Sequence, residues 1–351
     1  DLGGGRGGSE VAIPNRRERD DGEIKRVQQR PILEAPVEDG PARQEYDHEE
    51  AERPELRIAQ APAESHPECP EGREERDHSR NRSLVVMPEL PEVETTRRGL
   101  EPHLQGRRIV EAESRRARML RRQPRQRDFA DRLRGRRVER LGRRGKFLLL
   151  DVEGDLTWVI HLGMSGRMQV AEAGEPEVPH TNVVVRTSER EIRFVDPRTF
   201  GFTAVLTPEE FDESPLAGLG PDALTDLPRS PVLASRLAGR KPAIKTLLLD
   251  QRLIAGLGNI YVDEVLYRAR VSPHRPGGSL DPAEIRAIRG SIHPVLRAGL
   301  KYGGTSLNDL AYLLPDGRAG EYLNRLKAYG REDRPCRRCG TPIRRSIIGQ
   351  R

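Results

Sequence analysis

An α+β chain in three parts is what the sequence predicts: a helix leading a β-rich half, then a helical half, then a small terminal hairpin. Three observations carry this. Seven short β-branched or aliphatic runs, parted by Gly, Pro and charged turns, fall between residues 108 and 206. From about Pro221 the apolar spacing turns helical. Near the end, Cys336, Cys339, Gly340 and Pro342 mark a turn-rich segment beside β-prone Ile343, Ile347 and Ile348.

Not all 351 residues fit that scheme. Charged residues make up 33% of the chain, hydrophobic ones 35%, and mean hydropathy is −0.71, low for a chain folded throughout. The polar excess sits at the start. Residues 1–86 hold 14 Lys and Arg against 21 Asp and Glu, a net of −7. Of the chain's 61 basic and 55 acidic residues this leaves 47 and 34 for residues 87–351, a net of +13. The first segment has sparse apolar residues with no period of 2 or 3.6, so no face could offset its ordering entropy. It opens on Asp1 rather than Met. The expectation is a disordered extension outside the fold, read through from upstream of a true start at Met87. The basic remainder points to a polyanionic partner.

No apolar run approaches the ~18–20 residues that cross a bilayer, and no signal-peptide pattern opens the chain. Three cysteines are too few for a disulfide framework. A soluble protein of a reducing compartment is expected, which excludes the membrane and disulfide-stapled secreted classes.

The elements follow in order. Pro88–Leu104 reads as a helix, with Leu90, Val93, Leu100 and Leu104 near helical spacing and Pro tolerated at the start. Strands are expected at Arg108–Ala112, Arg137–Leu141, Lys146–Val152, Thr157–Leu162, Asn182–Thr187, Glu191–Val195 and Gly201–Leu206. Seven at this spacing make a sandwich or barrel. Helices are expected at Pro231–Leu237, Ala243–Leu249, Asn259–Ala269, Pro282–Tyr302 and Gly320–Leu326. The fourth has a full entry signal: Asp281 as N-cap, Pro282 at the first position, Glu284 three after the cap.

The stretch MPELPEVETTRRGL from Met87 carries the first chemical signal. Were Met87 an initiator, its removal would leave Pro88 with a free secondary amine, able to attack an electrophilic sugar carbon. An N-terminal amine titrates at ~7.7–8.0, so part of it is unprotonated near neutrality. Glu89 beside it could shuttle protons. A helix start with acids in its first turn reads the same way, and for this segment alone that plain reading is favoured.

With its other motifs the chain is identified as resembling the formamidopyrimidine-DNA glycosylases. Met87 to Arg351 carries, in the family's order, MPELPEVE, RRGKFLLL, HLGMSGRM, DPRTFG, AGLGNIYVDEVLY, GGTS, YGRE and PCRRCGTPI. Leu90 favours the purine-lesion branch over the endonuclease VIII relatives, which open MPEGPE. The resemblance implies a helix-led β-sandwich (residues 87–207), a helix–two-turn–helix domain (208–329) and a zinc-finger hairpin (330–351, truncated here). It implies a bacterial, cytoplasmic, monomeric base-excision repair enzyme bound to damaged double-stranded DNA. Such an enzyme excises 8-oxoguanine and formamidopyrimidines and nicks the strand by β- and δ-elimination.

Residue by residue, the resemblance makes Pro88 the Schiff-base nucleophile at the sugar C1′, Glu89 its acid/base partner, and Lys146 the proton donor for β-elimination. Arg143 and Arg144, beside Lys146, read equally as phosphate contacts. Met164, Arg198 and Phe200 resemble the trio that fills the gap of an everted nucleotide: apolar wedges occupy it and an Arg bonds the orphaned base. The usual second Arg of that motif is Thr199 here. Asn259 resembles the phosphate-binding Asn, with Gly256 and Gly258 letting backbone approach the phosphate. His161, His180, Arg240 and Lys245 align with further DNA contacts, although a His in an apolar strand is commonly a satisfied core group. The segment from Gly303 to Tyr322 corresponds to the lesion-capping loop and is more aliphatic than the family pattern.

The metal site departs most. The family closes with two C-x-x-C pairs around one Zn2+, a four-thiolate site. Here Cys336 and Cys339 supply one pair, Cys69 lies in the extension, and GQR follows where the hairpin continues. A truncated gene model is expected. Arg351 matches the hairpin Arg that grips phosphate and assists δ-elimination. One conflict is chemical: joined to Met87, the Pro88 nitrogen is a tertiary amide, neither basic nor nucleophilic. Two other functions therefore stand beside the glycosylase/lyase: a non-catalytic damaged-DNA binder, and an endonuclease VIII-like enzyme for oxidised pyrimidines.

Overall fold

A computed structural model describes residues 87–306 and 312–349; the segment expected to be an extension, the middle of the expected capping loop and Arg351 lie outside them. Helix α1 (Leu90–Leu104) leads. It starts two residues later than the spacing predicts, because Glu89 is extended (ψ −170°) and acts as N-cap. Its backbone N–H donates to Glu92 Oε2 at 2.9 Å.

Two four-stranded antiparallel sheets follow, ordered β1-β6-β7-β5 and β2-β3-β4-β8. Their strands are β1 (Ile109–Ser114), β2 (Val138–Arg144), β3 (Phe147–Val152), β4 (Leu156–His161), β5 (Arg167–Glu172), β6 (Thr181–Thr187), β7 (Arg190–Val195) and β8 (Phe202–Leu206). The sandwich reading is the one that holds, with Leu148, Leu150, Trp158, Ile160, Val183, Val185, Ile192 and Phe194 filling one core. Among the described residues eight strands form, not seven. Strand β5 escaped the pattern because it is an edge strand, RMQVAE, whose charged ends and middle Gln mask its Met168 and Ala171 anchors. Lys146 is not in β3: it sits with Gly145 (φ +58°) in the turn joining β2 to β3.

Two short helices went unpredicted, α2 (Asp128–Leu133) and α3 (Pro208–Asp212). The helical half holds α4 (Ser230–Leu237), α5 (Ile244–Leu249), α6 (Asn259–Ala269) and α7 (Pro282–Lys301). Asp281 caps α7, accepting from the N–H groups of Ala283 and Glu284. The helix expected at Gly320–Leu326 shrinks to a 3₁₀ turn at Tyr322–Arg325. The terminal hairpin closes as a bridge between Pro335 and Pro342, with Cys336 N–H donating to Thr341 O at 2.9 Å. No described helix is long and apolar enough to cross a membrane.

One helix serves both halves. Val93, Leu100 and Leu104 of α1 pack into the sandwich core. Leu90, one turn earlier, packs into the helical core with Leu248, Ile260, Tyr261 and Ile288. The segment expected to carry the chemistry thus lies where the two cores meet.

Candidate active site

Pro88 and Glu89 are buried just ahead of α1, against the start of α6. The Glu89 carboxylate accepts from Ile260 N at 2.9 Å and Tyr261 N at 3.3 Å. It thereby satisfies first-turn amides that no intrahelical carbonyl can reach, at the end where the helix dipole favours an anion. The loop before α6 is shaped around this contact. Leu90 N–H donates to Gly256 O at 3.1 Å. A Cβ on Gly258 would lie 2.2 Å from Glu89 Cδ, and one on Gly256 (φ +110°) 2.4 Å from Leu90 Cδ1. The two glycines were expected to admit a phosphate. They also make room for Glu89 and Leu90.

Burial pushes the Glu89 carboxyl up to about 7. The nearby charge of Lys146 pulls against this, the like charge of Glu92 adds to it, and the two α6 amides pull it down. Both protonation states are therefore populated near neutrality, as a group that gives and takes protons requires.

Glu92 was missed. It is fully buried, and its carboxylate accepts from Glu89 N, from Tyr261 Oη at 2.7 Å and from Thr305 N at 2.8 Å. Its carbonyl accepts from Tyr312 Oη at 3.1 Å. The Glu92 side chain thus ties the Pro88–Glu89 segment to α6 and to the start of the expected capping loop, and its backbone carbonyl adds Tyr312 from further along that loop. In the sequence Glu92 looks like any first-turn acid of a helix.

The Lys146 turn is fixed by a second unforeseen acid. Asp222 accepts from Arg143 Nη1 at 2.6 Å, from Arg143 Nη2 at 3.0 Å and from Gly145 N at 2.8 Å. Arg143 also reaches Glu94 Oε2 at 3.3 Å. With its side chain 3% exposed, Arg143 is an internal strut, not the surface phosphate contact its position allowed. Arg144 donates to Leu219 O at 2.7 Å. Both arginines bind the β2–β3 hairpin to the segment leading into the helical half.

The expected wedge trio divides between two loops. Met164 is half-buried in the turn after β4. Arg198 and Phe200 are exposed in the 196–201 loop, where the Arg198 guanidinium lies 4.7 Å from the Phe200 ring centroid. Buried Asp196 organises that loop, accepting from Arg198 N at 3.2 Å, Gly201 N at 2.7 Å and Ser165 Oγ at 2.6 Å. It stands first in DPRTFG, so that motif did signal it. Exposed His180 (φ +68°) accepts Asp196 N–H through its carbonyl at 3.0 Å.

The remaining expected DNA contacts differ among themselves. Asn259 opens α6, and its buried Oδ1 has no hydrogen-bond partner. Arg240 is exposed after α4. Lys245 is buried and paired with Asp263 at 2.7 Å, so its ammonium is engaged rather than open to a phosphate. His161 ends β4 with its ring between Phe147 (4.7 Å) and Phe202 (5.5 Å). Burial, with Lys146 and Arg121 nearby, lowers it to about 4. It is therefore a neutral imidazole whose Nδ1 accepts from Gly163 N at 3.1 Å.

Cys336 is half-buried and Cys339 exposed, and the Cys336 thiol lies 3.6 Å from Tyr267 Oη. Among the described residues no three metal-ligating side chains come together. Two thiolates do not complete a tetrahedral structural zinc site, so these residues by themselves do not fit the expected metal, and no chemistry is routed through it.

Comparison with known proteins follows the same division. Residues 87–203 match the formamidopyrimidine-DNA glycosylase N-terminal domain, and residues 219–310 match the formamidopyrimidine-DNA glycosylase H2TH domain. A formamidopyrimidine-DNA glycosylase of Methylococcus capsulatus is 42% identical over 267 residues, covering 76% of this chain and 96% of that protein. The crystal structure of the MutM (Fpg) protein from Thermus thermophilus superposes with a TM-score of 0.68 at 39% identity, over 75% of this chain and 95% of that one. A Lactococcus lactis Fpg variant in complex with a Fapy-dG containing DNA superposes at 0.69 with 31% identity, over 75% and 96%.

Proposed function

The chain belongs to the formamidopyrimidine-DNA glycosylase family, and from that premise we propose how this base-excision repair glycosylase works. It excises oxidised purines, 8-oxoguanine and formamidopyrimidines, from damaged duplex DNA, and opens the abasic strand by β- and δ-elimination. Residues 87–207 form the catalytic domain and residues 208–329 the DNA-binding one. The setting is the bacterial cytoplasm.

In this reading Pro88, once it is the first residue, attacks C1′ through its secondary amine and displaces the damaged base. Glu89 exchanges the proton. Its support is the observation that carries the proposal: a buried carboxyl raised to about 7, adjoining Pro88 and held against two amides of α6. Lys146 donates in the elimination that follows, its turn braced by Asp222. Met164, Arg198 and Phe200 fill the vacated stack, while Asn259, His180 and Arg240 hold phosphates.

A second reading rests on one chemical fact. In this chain Met87 precedes Pro88, and an acylated proline nitrogen cannot form an iminium. Unprocessed, the protein is a damaged-DNA binder without glycosylase chemistry. Borohydride trapping on an 8-oxoguanine duplex separates the two. The full chain should give no covalent adduct, and a chain beginning at Met87, processed to Pro88, should give one. Absence of an adduct from the processed chain would sink the enzymatic mechanism. Excision of thymine glycol alone would move the substrate to oxidised pyrimidines.

A further inference from the structure

The loop carrying Arg198 and Phe200 is held in an unfavourable shape before any DNA is present. Thr199 sits at φ +52°, a region that β-branched residues rarely adopt and that persists only when the surroundings over-determine it. Asp196 grips the loop's amide side. The carbonyl side is gripped by a segment outside the motif, the turn around residues 117–121 between β1 and α2. Arg118 Nε donates to Thr199 O at 3.2 Å. Arg121 Nη2 donates to Phe200 O at 2.6 Å, and its Nη1 to Gly201 O at 2.5 Å. Three consecutive carbonyls are thus each taken by a guanidinium. The same two arginines lie over rings of the loop and of the strand that follows it: Arg118 5.8 Å from Phe200, Arg121 5.2 Å from Phe202.

The brace is itself anchored. Gln123, buried, pairs through its amide with both N and O of Val205 on β8, at 2.7 and 3.1 Å. Met119 and Leu120 beside it are buried in the sandwich. The 117–123 segment is therefore a fixed platform. Its guanidinium forks suit paired carbonyls in a way that a lysine ammonium does not.

We propose that Arg121, with Arg118, is a positioning residue that pre-forms the strand wedge, and so sets how fast a damaged nucleotide leaves the stack. This rests on the reading of Arg198 and Phe200 as the wedge. The two arginines need not touch the lesion. They remove the cost of ordering the loop at the moment of insertion, which is what pre-organisation contributes to binding.

The test uses the full chain, since eversion needs no free Pro88 nitrogen. A duplex with 2-aminopurine beside an 8-oxoguanine reports unstacking as a rise in fluorescence, followed by stopped flow. Loss of two charge-assisted hydrogen bonds in Arg121→Met should slow that rise about tenfold. Affinity for undamaged duplex and its salt dependence should stay near wild type, a split that general misfolding would not produce. Arg121→Lys should recover part of the rate. Should Arg121→Met fail to fold, Arg118→Gln and Arg121→Lys carry the test, and wild-type rates in both overturn the proposal. Phe200→Ala separates the two layers. If it slows the rise and Arg121→Met does not, the brace is wrong and the wedge stands. If Phe200→Ala changes nothing, the wedge reading falls and the brace with it.

Discussion

Replacing Glu89 by Gln should make the protein more stable than wild type above neutral pH while slowing base excision by orders of magnitude. The reasoning starts from the carboxyl raised from 4.5 to about 7. A group whose native value lies above its unfolded one binds more protons when folded, so wild-type stability falls as pH rises between the two values. At 1.36 kcal/mol per unit, a span of 4.5 to about 7 removes about 3 kcal/mol. The penalty is absent below pH ~4.5, grows through the window and is complete above ~7. Gln stands in for the protonated acid: its Oε1 still accepts from Ile260 N, and it never ionises. Urea unfolding of both proteins at several values from pH 5 to 8 reads the difference directly. The variant's advantage should widen with pH by about 3 kcal/mol. A difference that stays flat would refute the claim that Glu89 is buried without full compensation. Excision by the processed chain should fall by about 10²–10⁴ in the variant, the usual range for a lost acid/base group.

Asp222→Ala should cost about 1–3 kcal/mol, because buried Arg143 loses its two-pronged partner and keeps only Glu94 Oε2 at 3.3 Å as a carboxylate, and should slow strand cleavage by loosening the turn that bears Lys146. Burial raises the Asp222 carboxyl, but the Arg143 guanidinium together with the Gly145 and Leu224 amides outweighs it and holds the carboxyl below the usual range. This contribution is therefore present above pH ~3.9 and lost as pH falls through the depressed value, which acid unfolding of wild type and variant compares. Gly258→Ala should destabilise by about 1–3 kcal/mol by denaturant unfolding, since its methyl would overlap the Glu89 carboxyl. Affinity for duplex DNA should fall steeply with salt, by about 40-fold between 50 and 200 mM for every three phosphates that Lys or Arg side chains neutralise; a salt-independent affinity would contradict a basic body of residues 87–351.

Local patterns reached far here because many of the chemical residues sit in short, rigid motifs. Leu90, Val93, Leu100 and Leu104 announce α1 through spacing alone, and DPRTFG announces its own loop, Asp196 included. Edge strand β5 was illegible because a half-exposed strand need not alternate cleanly, and the helix drawn at Gly320–Leu326 shows that apolar spacing overstates a single turn. Arg143 and Lys245 looked like surface cations. Their carboxylate partners, Asp222 and Asp263, are 79 and 18 residues away in sequence, and only the folded chain brings them together.

The sequence by itself determined the order of the parts and the division into a β-rich and a helical half, because those depend on periodicity, and its contiguous motifs singled out Pro88, Glu89 and Lys146 for the chemistry proposed above. Tertiary structure alone decided the surroundings that the proposed chemistry draws on. Glu89 is raised towards neutrality because the fold buries it, with Gly258 close against its carboxyl and in spite of the two α6 amides that pull it down. Glu92 becomes a junction because Tyr261 and Thr305 arrive from more than 160 residues away. Burial and opposed charges are properties of neighbours, and neighbours distant in sequence are set by packing.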